Sequence, residues 1–563
     1  MKVVIVGGVA GGATAAARIR RLDERAEIIV FERSGFVSYA NCGLPYYIGG
    51  VIENPKDLTL QTPESFYNRF HITIKVHHEV IQIHTDQQRV SVKNLETGEV
   101  FMESYDKLLL SPGAKPTQPT MPGVRIDRLF TLRTVEDTLR IHQFIDETKP
   151  KSVLLAGGGF IGLELAENLK DLGMDVTIIQ RPKQLMNPFD PDMAAFIHAK
   201  MRQKGVKLLL GYSVEGFEKA DAGVKVLLEG NLSLCADMVV LAIGVTPESE
   251  LAKKANLELG IKGSILVNDR METSIPNIYA VGDAVQVKHS VTGLETLIPL
   301  AGPANKQGRI AADNICGGDS RYHGSLGSSI LKVFDMTVAT TGINEQTARK
   351  TGIPYDKIYL SPMDHAGYYP GGKSMVMKVI FEKETGRVLG GQIVGYAGVD
   401  KRIDVLATAI HGKMTADDLK ELDLAYAPPY SSAKDPVNMA GFMMDNILSG
   451  KLKQFFYEDV EALPRDGSVT LLDVRTPEEY RRGHIHGFFN IPLDELRDRI
   501  REIELGKPVY INCQSGLRSY IACRILSQNG LECYNFSGGY GFYRVQAEEV
   551  LCAQESYPCG MEK

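Results

Sequence analysis

Short runs of β-branched and aliphatic residues alternate with amphipathic stretches through the first half of the chain, the pattern of a parallel α/β fold. Val3 to Val6 predicts a strand, the glycines after it a loop, the residues from about Gly12 to Leu22 a helix, and Glu27 to Glu32 a second strand. The same order returns at Ser152 to Ala156, with another glycine loop, a helix through Leu169 and a strand from Asp175 to Gln180. From about Gly324 the pattern changes. Ser374 to Glu382 and Val388 to Val394, either side of a Thr385-Gly386 turn, predict antiparallel strands, and a helical stretch from about Val399 to Leu419 completes an α+β domain. A connector near Gly450 to Lys453 leads into a last unit, where the strand Val509 to Asn512 precedes a helix with an expected apolar face of Ile521, Ala522, Ile525 and Leu526. No solenoid period runs through the chain.

A chain of 563 residues exceeds one core, and one domain per roughly 100 to 200 residues predicts three or four. The hydrophobic share of 44 % and charged share of 23 % belong to globular proteins, and a net charge of -6 gives no positive field for nucleic acid. The run from Met1-Lys2 directly into Val3 leaves no room for a signal peptide, and no apolar stretch has bilayer length; the expectation is a cytoplasmic protein with no membrane partner. The eight scattered cysteines predict reduced thiols, and without a C-x-x-C or Cys/His cluster no metal is expected.

Gly7-Gly8-Val9-Ala10-Gly11-Gly12 follows a strand and opens a helix, with Glu32 closing the next strand. Glycines there let a pyrophosphate approach backbone N–H groups at a helix N-terminus, while the carboxylate accepts ribose hydroxyls. Val9 departs from the usual middle glycine. Gly157-Gly158-Gly159-Phe160-Ile161-Gly162 fits the fingerprint in full. Gln180 stands where an acid selects NAD, and Arg181 and Lys183 offer charge to a 2′-phosphate, so NADH with tolerance of NADPH is expected.

With Thr273, Ile278 to Asp283, Ser111-Pro112-Gly113 and Ala242-Ile243-Gly244, the chain resembles the two-dinucleotide flavoproteins of glutathione-reductase type across residues 1 to about 440. The resemblance implies FAD contacts from Gly7, Gly8, Ala10, Gly11, Gly12, Glu32, Arg33, Asn41, Ser111, Gly113 and Asp283, with Pro299, Leu300 and Ala301 near the flavin ring. It implies nicotinamide nucleotide contacts from Gly157, Gly159, Phe160, Ile161, Gly162, Glu164, Gln180, Arg181 and Gly244, with Phe160 lying across the flavin until nicotinamide displaces it.

Cys42, within Ser38 to Tyr46, stands where this family places its redox cysteine. Most relatives carry a second cysteine five positions away, but Val37 and Tyr47 occupy those places and the next cysteine is Cys235. The oxidised form is then a sulfenate or a mixed disulfide with a guest thiol, and the thiolate calls for a depressed pKa. Ser38 to Gly50 resembles the active-site region of coenzyme A disulfide reductases. Helical spacing places Arg18, Arg21 and, if the helix extends so far, Arg25 on one face with Arg20 turned away; CoA contacts are expected from Arg18, Arg21, Ser38, Asn41 and Cys42. CoA is either substrate or tightly held cofactor. The segments His365 to Pro370 and Tyr426 to Ser431 resemble that family's tyrosine-bearing segments, which implies that Tyr368 and Tyr426 donate hydrogen bonds to sulfur across a homodimer.

Leu471 to Arg475, Glu478-Glu479-Tyr480, Gly483-His484-Ile485 and Gly487 to Pro492 resemble the rhodanese family, with Cys513-Gln514-Ser515-Gly516-Leu517-Arg518 as the active loop. Inward N–H groups and the helix dipole would stabilise a persulfide on Cys513. Cys523, Cys533, Cys552 and Cys559 read as structural or incidental. The implied fold is α/β: two nested Rossmann-like FAD- and NAD(P)-binding domains of glutathione-reductase type, an α+β dimerisation domain and a C-terminal α/β rhodanese domain. The expected boundaries are 1–112 with 246–322 for FAD, 113–245 for NAD(P)H, 323–446 for dimerisation, 447–457 for the linker and 458–555 for the rhodanese. The implied activity is NAD(P)H- and FAD-dependent reduction of CoA disulfide, CoA persulfide or polysulfide. Cys513 relays sulfane sulfur, and hydrogen sulfide and free thiol leave. The rival is an NADH oxidase or peroxidase cycling a Cys42 sulfenate, with the rhodanese as a sulfur-trafficking module.

Overall fold

The computed structural model describes residues 1–221 and 223–554; Cys559 and residue 555, the expected end of the last domain, lie outside the described residues. Its chain contacts divide it into two compact units, one of Met1–Lys183 with Gly205–Gly327 and one of Gln184–Lys204 with the chain from Ser328 on.

The first unit holds two five-stranded parallel sheets built on one plan. In one, Lys2–Val6 is central, flanked by Glu27–Phe31 and then Thr73–Lys75 on one side and by Lys107–Leu110 and then Ile278–Ala280 on the other. In the other, Ser152–Ala156 is central, flanked by Asp175–Gln180 and Lys207–Leu210 on one side and by Met238–Leu241 and Leu129–Thr131 on the other. Both central strands are apolar runs buried on both faces, as a parallel sheet between helices requires. Each sheet is accompanied by a three-stranded antiparallel one, His78–His84 to Val100–Ser104 and Val214–Lys219 to Leu232–Ala236.

The first helix is Ala10–Leu22, beginning earlier than its apolar period indicates because the glycine loop already turns the chain at Val9. It ends at Leu22, so Arg25 falls outside the expected arginine face. Arg20 does not point to solvent. It is buried and donates to the carbonyls of Phe70, His71, Asp23 and Glu24. Arg18 is paired with Asp313 at 2.7 Å, and Arg21 is exposed.

The second unit contains an antiparallel sheet in the order Ser329–Val333, Met336–Gly342, Val388–Gly395, Met375–Glu382, Tyr355–Leu360. The helical stretch expected to run unbroken to Leu419 is two helices, Val399–His411 and Ala416–Glu421. Gly412 and Lys413, the latter at φ +55°, stop the first, and Thr415 with Asp418 caps the second. The last sheet is parallel, in the order Lys453–Phe455, Cys533–Phe536, Val509–Asn512, Thr470–Asp473, Phe489–Asn490. Its edge strand Lys453–Phe455 lies inside the expected linker.

The two sheets of this unit are bonded to one another. The Tyr359 backbone N–H donates to Ser537 Oγ at 3.2 Å, Gln454 Nε2 to the Lys357 carbonyl at 2.7 Å, and Gln546 Nε2 to the Asp192 carbonyl at 2.7 Å. Beside this seam lies Lys378, fully buried, with Asp190, Asp192 and Glu345 at 2.9, 2.8 and 2.5 Å. Burial opposes the charge on Glu345, but Lys378 and Lys357 hold its carboxyl down at about 2. A folded-state pKa below the unfolded one of about 4.3 contributes stability above that value, lost as pH falls towards 2. Removing the central cation leaves buried Asp190 without its lysine and half-buried Asp192 likewise, while Glu345 keeps Lys357, so Lys378→Met should cost about 3–5 kcal/mol in denaturant unfolding. Glu345→Gln should remove part of the acid dependence between pH 4 and 2, and a variant as stable and as acid-sensitive as wild type would refute both.

Candidate functional site

The two glycine loops repeat each other contact for contact. A Cβ on Gly7 would lie 2.1 Å from the Ser111 carbonyl oxygen, and one on Gly157 would lie 2.2 Å from that of Ala242. A Cβ on Gly12 would meet the Gly7 carbonyl oxygen at 1.9 Å, and one on Gly162 that of Gly157 at 2.0 Å. These close approaches seat the N-termini of Ala10–Leu22 and Phe160–Asp171 against their central strands. Neither helix has a side-chain cap or an acid in its first turn, so the donor set suits an anionic pyrophosphate.

The middle position differs from the outer ones. Nothing lies within 4 Å of a Cβ on Gly159, and Val9 occupies its counterpart at φ -103°, so neither fold contact demands glycine there. At the strand ends, the Gly8 N–H donates to Glu32 Oε2 at 2.8 Å and the Gly158 N–H donates to Gln180 Oε1 at 2.9 Å. An amide oxygen serves the second loop as a carboxylate serves the first. Burial pushes the Glu32 carboxyl up, against the N–H groups of Gly8 and Ser34. Phe160 and Ile161 are half-buried at the head of their helix, while Arg181, Lys183 and Gly244 are exposed.

The rest of the expected flavin set gathers around the first loop. The helix Ala301–Ile315 starts just after Pro299 and Leu300, again without a side-chain cap or acid in its first turn. It packs so closely on the first helix that a Cβ on Gly308 would lie 2.4 Å from the Gly11 carbonyl oxygen. Asp283 sits on the turn Gly282–Ala284 and pairs with Arg133 at 2.6 Å. The Asn41 amide, oriented to satisfy both groups, donates to the Arg133 carbonyl at 3.0 Å and accepts from its Nη1 at 3.3 Å. Sequence reasoning missed Arg133, which no motif surrounds. Gly113 takes φ +72°, and Arg33 is exposed with Glu248 at 3.4 Å. Together the helix N-termini, Glu32 and Asp283 fit FAD at the first loop, and the second loop fits a nicotinamide dinucleotide.

Cys42 lies on the 3₁₀ turn Asn41–Gly43, and Ser38 holds φ +46° four residues earlier. The turn feeds the short helix Leu44–Ile48, packed on the second-loop helix: a Cβ on Gly49 would sit 2.1 Å from Asn168 Oδ1, and the Tyr46 hydroxyl is 3.4 Å from Glu164. Val37 and Tyr47, at the places of a second cysteine, are both buried. The thiol is open to solvent on one side and walled by protein on the others. That partial desolvation leads in pushing its pKa up; Glu164 and Asp283 add to it and Arg133 opposes. The depressed value expected from the sequence is therefore not supplied by the chain's own groups: burial raises the thiol first, and Glu164 and Asp283 add to it against Arg133. Burial also lifts Glu164 to about 7 and Tyr46 to about 12.

In the second unit, Tyr368 and Tyr426 are exposed and bonded to each other, hydroxyl to hydroxyl, at 2.6 Å. In the rhodanese-like sheet, the strand Val509–Asn512 delivers Cys513 fully buried, and Gly516 at φ +95° turns the loop into the helix Leu517–Ser527. The Gly516 N–H donates to Cys513 Sγ at 3.1 Å and the Ser519 hydroxyl at 3.2 Å. The Tyr540 and Gly541 N–H groups hold the loop through the carbonyls of Cys513 and Gln514. Gln514 and Leu517 are exposed and Ser515 half-buried. Arg518 is not free over the sulfur: its two terminal nitrogens grip Glu479 at 2.8 and 2.7 Å.

Ser519 had no role from the sequence, and it explains why the helix face differs from expectation. Turning Ser519 under the sulfur buries Ser519, Ala522, Cys523 and Leu526, at helical spacing, and leaves Ile521 exposed. Cys523 and Cys533 belong to the apolar core, with thiols pushed up by burial, Cys533 to about 12. Cys552 is half-buried.

The loop contacts give a paired test. Gly12→Ala must move backbone and should yield protein with little flavin, read as bound flavin per chain after gel filtration. Gly159→Ala meets no protein atom, so flavin and melting temperature should persist while the KM for NADH rises. Equal behaviour of the two variants would contradict this.

Comparison with known proteins agrees with this arrangement. The pyridine nucleotide-disulphide oxidoreductase family model matches residues 1–308, its dimerisation domain 328–436 and a rhodanese-like domain 457–543. The coenzyme A disulfide reductase of Staphylococcus epidermidis is 40 % identical over 442 residues, covering 78 % of this chain and 99 % of its own. The crystal structure of reduced Bacillus anthracis CoADR-RHD superposes with a TM-score of 0.95 at 48 % identity, covering 97 % of this chain and 98 % of that one. The NAD-dependent persulfide reductase of A. fulgidus gives 0.90 at 37 %, covering 96 % and 100 %. With two duplicated dinucleotide loops and these matches, the chain belongs to the pyridine nucleotide-disulphide oxidoreductase family and carries its dimerisation domain and a rhodanese-like domain.

Proposed function

We propose that the chain is an NAD(P)H- and FAD-dependent reductase of CoA disulfide, CoA persulfide or polysulfide, acting as a cytoplasmic homodimer. The observation that carries this reading is the pairing of two unlike thiols in one chain. Cys42 is exposed with buried, sulfur-free neighbours at the partner positions, and Cys513 is buried with two donors on its sulfur. The similarity to a CoA disulfide reductase and to a persulfide reductase supports the same substrates here.

The first loop, Glu32 and Asp283 would hold FAD, which when bound would supply two-electron transfer from the nicotinamide to sulfur. Cys42 as thiolate attacks CoA disulfide, forming a Cys42–CoA disulfide and expelling one CoA thiolate. Two electrons and two protons, one brought with the hydride and one from solvent, break that bond and return Cys42 and a second CoA thiol. With CoA persulfide the same electrons release hydrogen sulfide and CoA. Glu164 and Tyr46 stand beside the thiol as groups able to hold a proton as Cys42 changes charge. The Tyr368–Tyr426 pair donates to the guest sulfur. Cys513 takes sulfane sulfur as a persulfide, held by the Gly516 N–H and the Ser519 hydroxyl, and passes it to CoA or to Cys42.

Anaerobic single-turnover kinetics with NADH test the assignment. Cys42→Ser should lose about a thousandfold or more with every acceptor, since no other thiol replaces it. Cys513→Ser should lose activity with polysulfide and retain it with CoA disulfide. Full activity of Cys42→Ser would overturn the reading, and equal loss on both acceptors in Cys513→Ser would overturn the relay.

A further inference from the structure

The charge balance at the rhodanese loop carries more than its cysteine does. Glu479 is held from two sides: its carboxylate accepts from the Thr476 N–H at 2.9 Å within a capping box, and it takes both terminal nitrogens of Arg518. Burial opposes its charge, but the Arg518 hydrogen bonds lead in bringing the carboxyl down to about 2, so it is ionised throughout the working range. Glu479 and Arg518 are each about a third exposed, 31 % and 32 %, which puts the pair at the loop's solvent side. Deeper in the domain, Arg475 is matched in the same way by Asp473 at 2.7 Å, with both side chains buried. Arg475 and Arg518 therefore each face a carboxylate. What remains at Cys513 Sγ is dipolar: one N–H, one hydroxyl and a helix N-terminus.

Sulfur transfer to Cys513 is a displacement. The thiolate attacks the outer sulfur of the donor, a new S–S bond forms at Sγ, the donor's S–S bond breaks, and the leaving group departs with the electron pair. From an organic persulfide the leaving group is a thiolate with one charge. From thiosulfate it is sulfite, with two. We infer that Glu479 is a specificity-determining residue that makes Cys513 selective for organic persulfides over thiosulfate, by cancelling the one loop cation that would stabilise a dianion. The inference rests on the reading that Cys513 carries sulfane sulfur. The same cancellation disfavours other small dianions at this loop, phosphate and sulfate included.

The test uses the full chain, oxidant-free, with Cys42→Ser as background so that label can be assigned to Cys513 by peptide mass spectrometry. Initial rates of Cys513 persulfidation are measured with cysteine persulfide and with thiosulfate. In the parent the persulfide should react faster. Glu479→Gln keeps an oxygen acceptor for the Thr476 N–H and uncovers Arg518, and should raise the ratio of thiosulfate to persulfide rates about tenfold, an increase that shrinks as salt is added. The double variant Glu479→Gln with Arg518→Gln restores neutrality and should return the ratio to that of the parent. A merely structural role would slow both donors together and leave the ratio where it was. Equal rates in the parent, or a ratio unmoved by Glu479→Gln, would overturn the specificity inference alone. No label on Cys513 from either donor would overturn the sulfur-carrier reading beneath it.

Discussion

Helix Ala10–Leu22 can begin directly over strand Lys2–Val6 because residue 12 has no side chain: its α-carbon packs on the carbonyl of Gly7, where a methyl group would lie 1.9 Å from the oxygen. The same contact recurs between Gly162 and Gly157. Much of the first unit follows from those two approaches. They aim two uncapped helix N-termini at the carboxyl ends of two parallel sheets, and they bring each loop's second N–H within reach of the acceptor at the neighbouring strand end. The short helix behind Cys42 is then fixed by the second copy, since Gly49 packs on Asn168 of the helix that the second loop opens. The position of Cys42 thus depends on the second glycine loop as well as on the first.

The second unit is organised by charge. Lys378, Lys357 and four carboxylates lie where the antiparallel sheet meets the helix Pro191–Gln203 and the residues leading into the rhodanese-like sheet. Hydrogen bonds from Tyr359, Gln454 and Gln546 close the same seam. The C-terminal sheet is therefore seated on its neighbour, and Lys453–Phe455, which by composition resembles a tether, is one of its strands. The two thiols on which the proposed function rests have opposite environments. Cys42 is open and faces acids, whereas Cys513 is enclosed and faces donors.

The repeated βαβ units and the rhodanese loop were legible in the sequence because each is local: glycines with forced backbone geometry stand at fixed offsets from strands and helices. What escaped was set by partners far along the chain. Helical spacing turns Arg20 away from Arg18 and Arg21 but does not say what it reaches: the carbonyls of Phe70 and His71, about fifty residues on, claim it. The apolar face of the last loop's helix was misread because Ser519, polar by type, turns inward to reach a sulfur. Arg133 reaches Asp283 and Asn41 across long stretches of sequence without any motif. Glu479 lay inside a recognised motif, yet its role depends on Arg518 in another segment. The raised Cys42 thiol likewise comes first from partial burial by residues distant in sequence, and then from Glu164, on the helix that the second glycine loop opens.

The bond between Tyr368 and Tyr426 commits one of their two phenolic hydrogens to the partner oxygen, so the pair holds a single hydrogen for anything outside. Under the proposed function an arriving sulfur anion would take that hydrogen, and the inner bond, pointing the same way, would reinforce it through mutual polarisation. An arriving thiol, which brings its own hydrogen, is met by rotating both hydroxyls so that the chain of bonds runs backwards. On that reading the rotation of two hydroxyls alone answers either protonation state of the visitor.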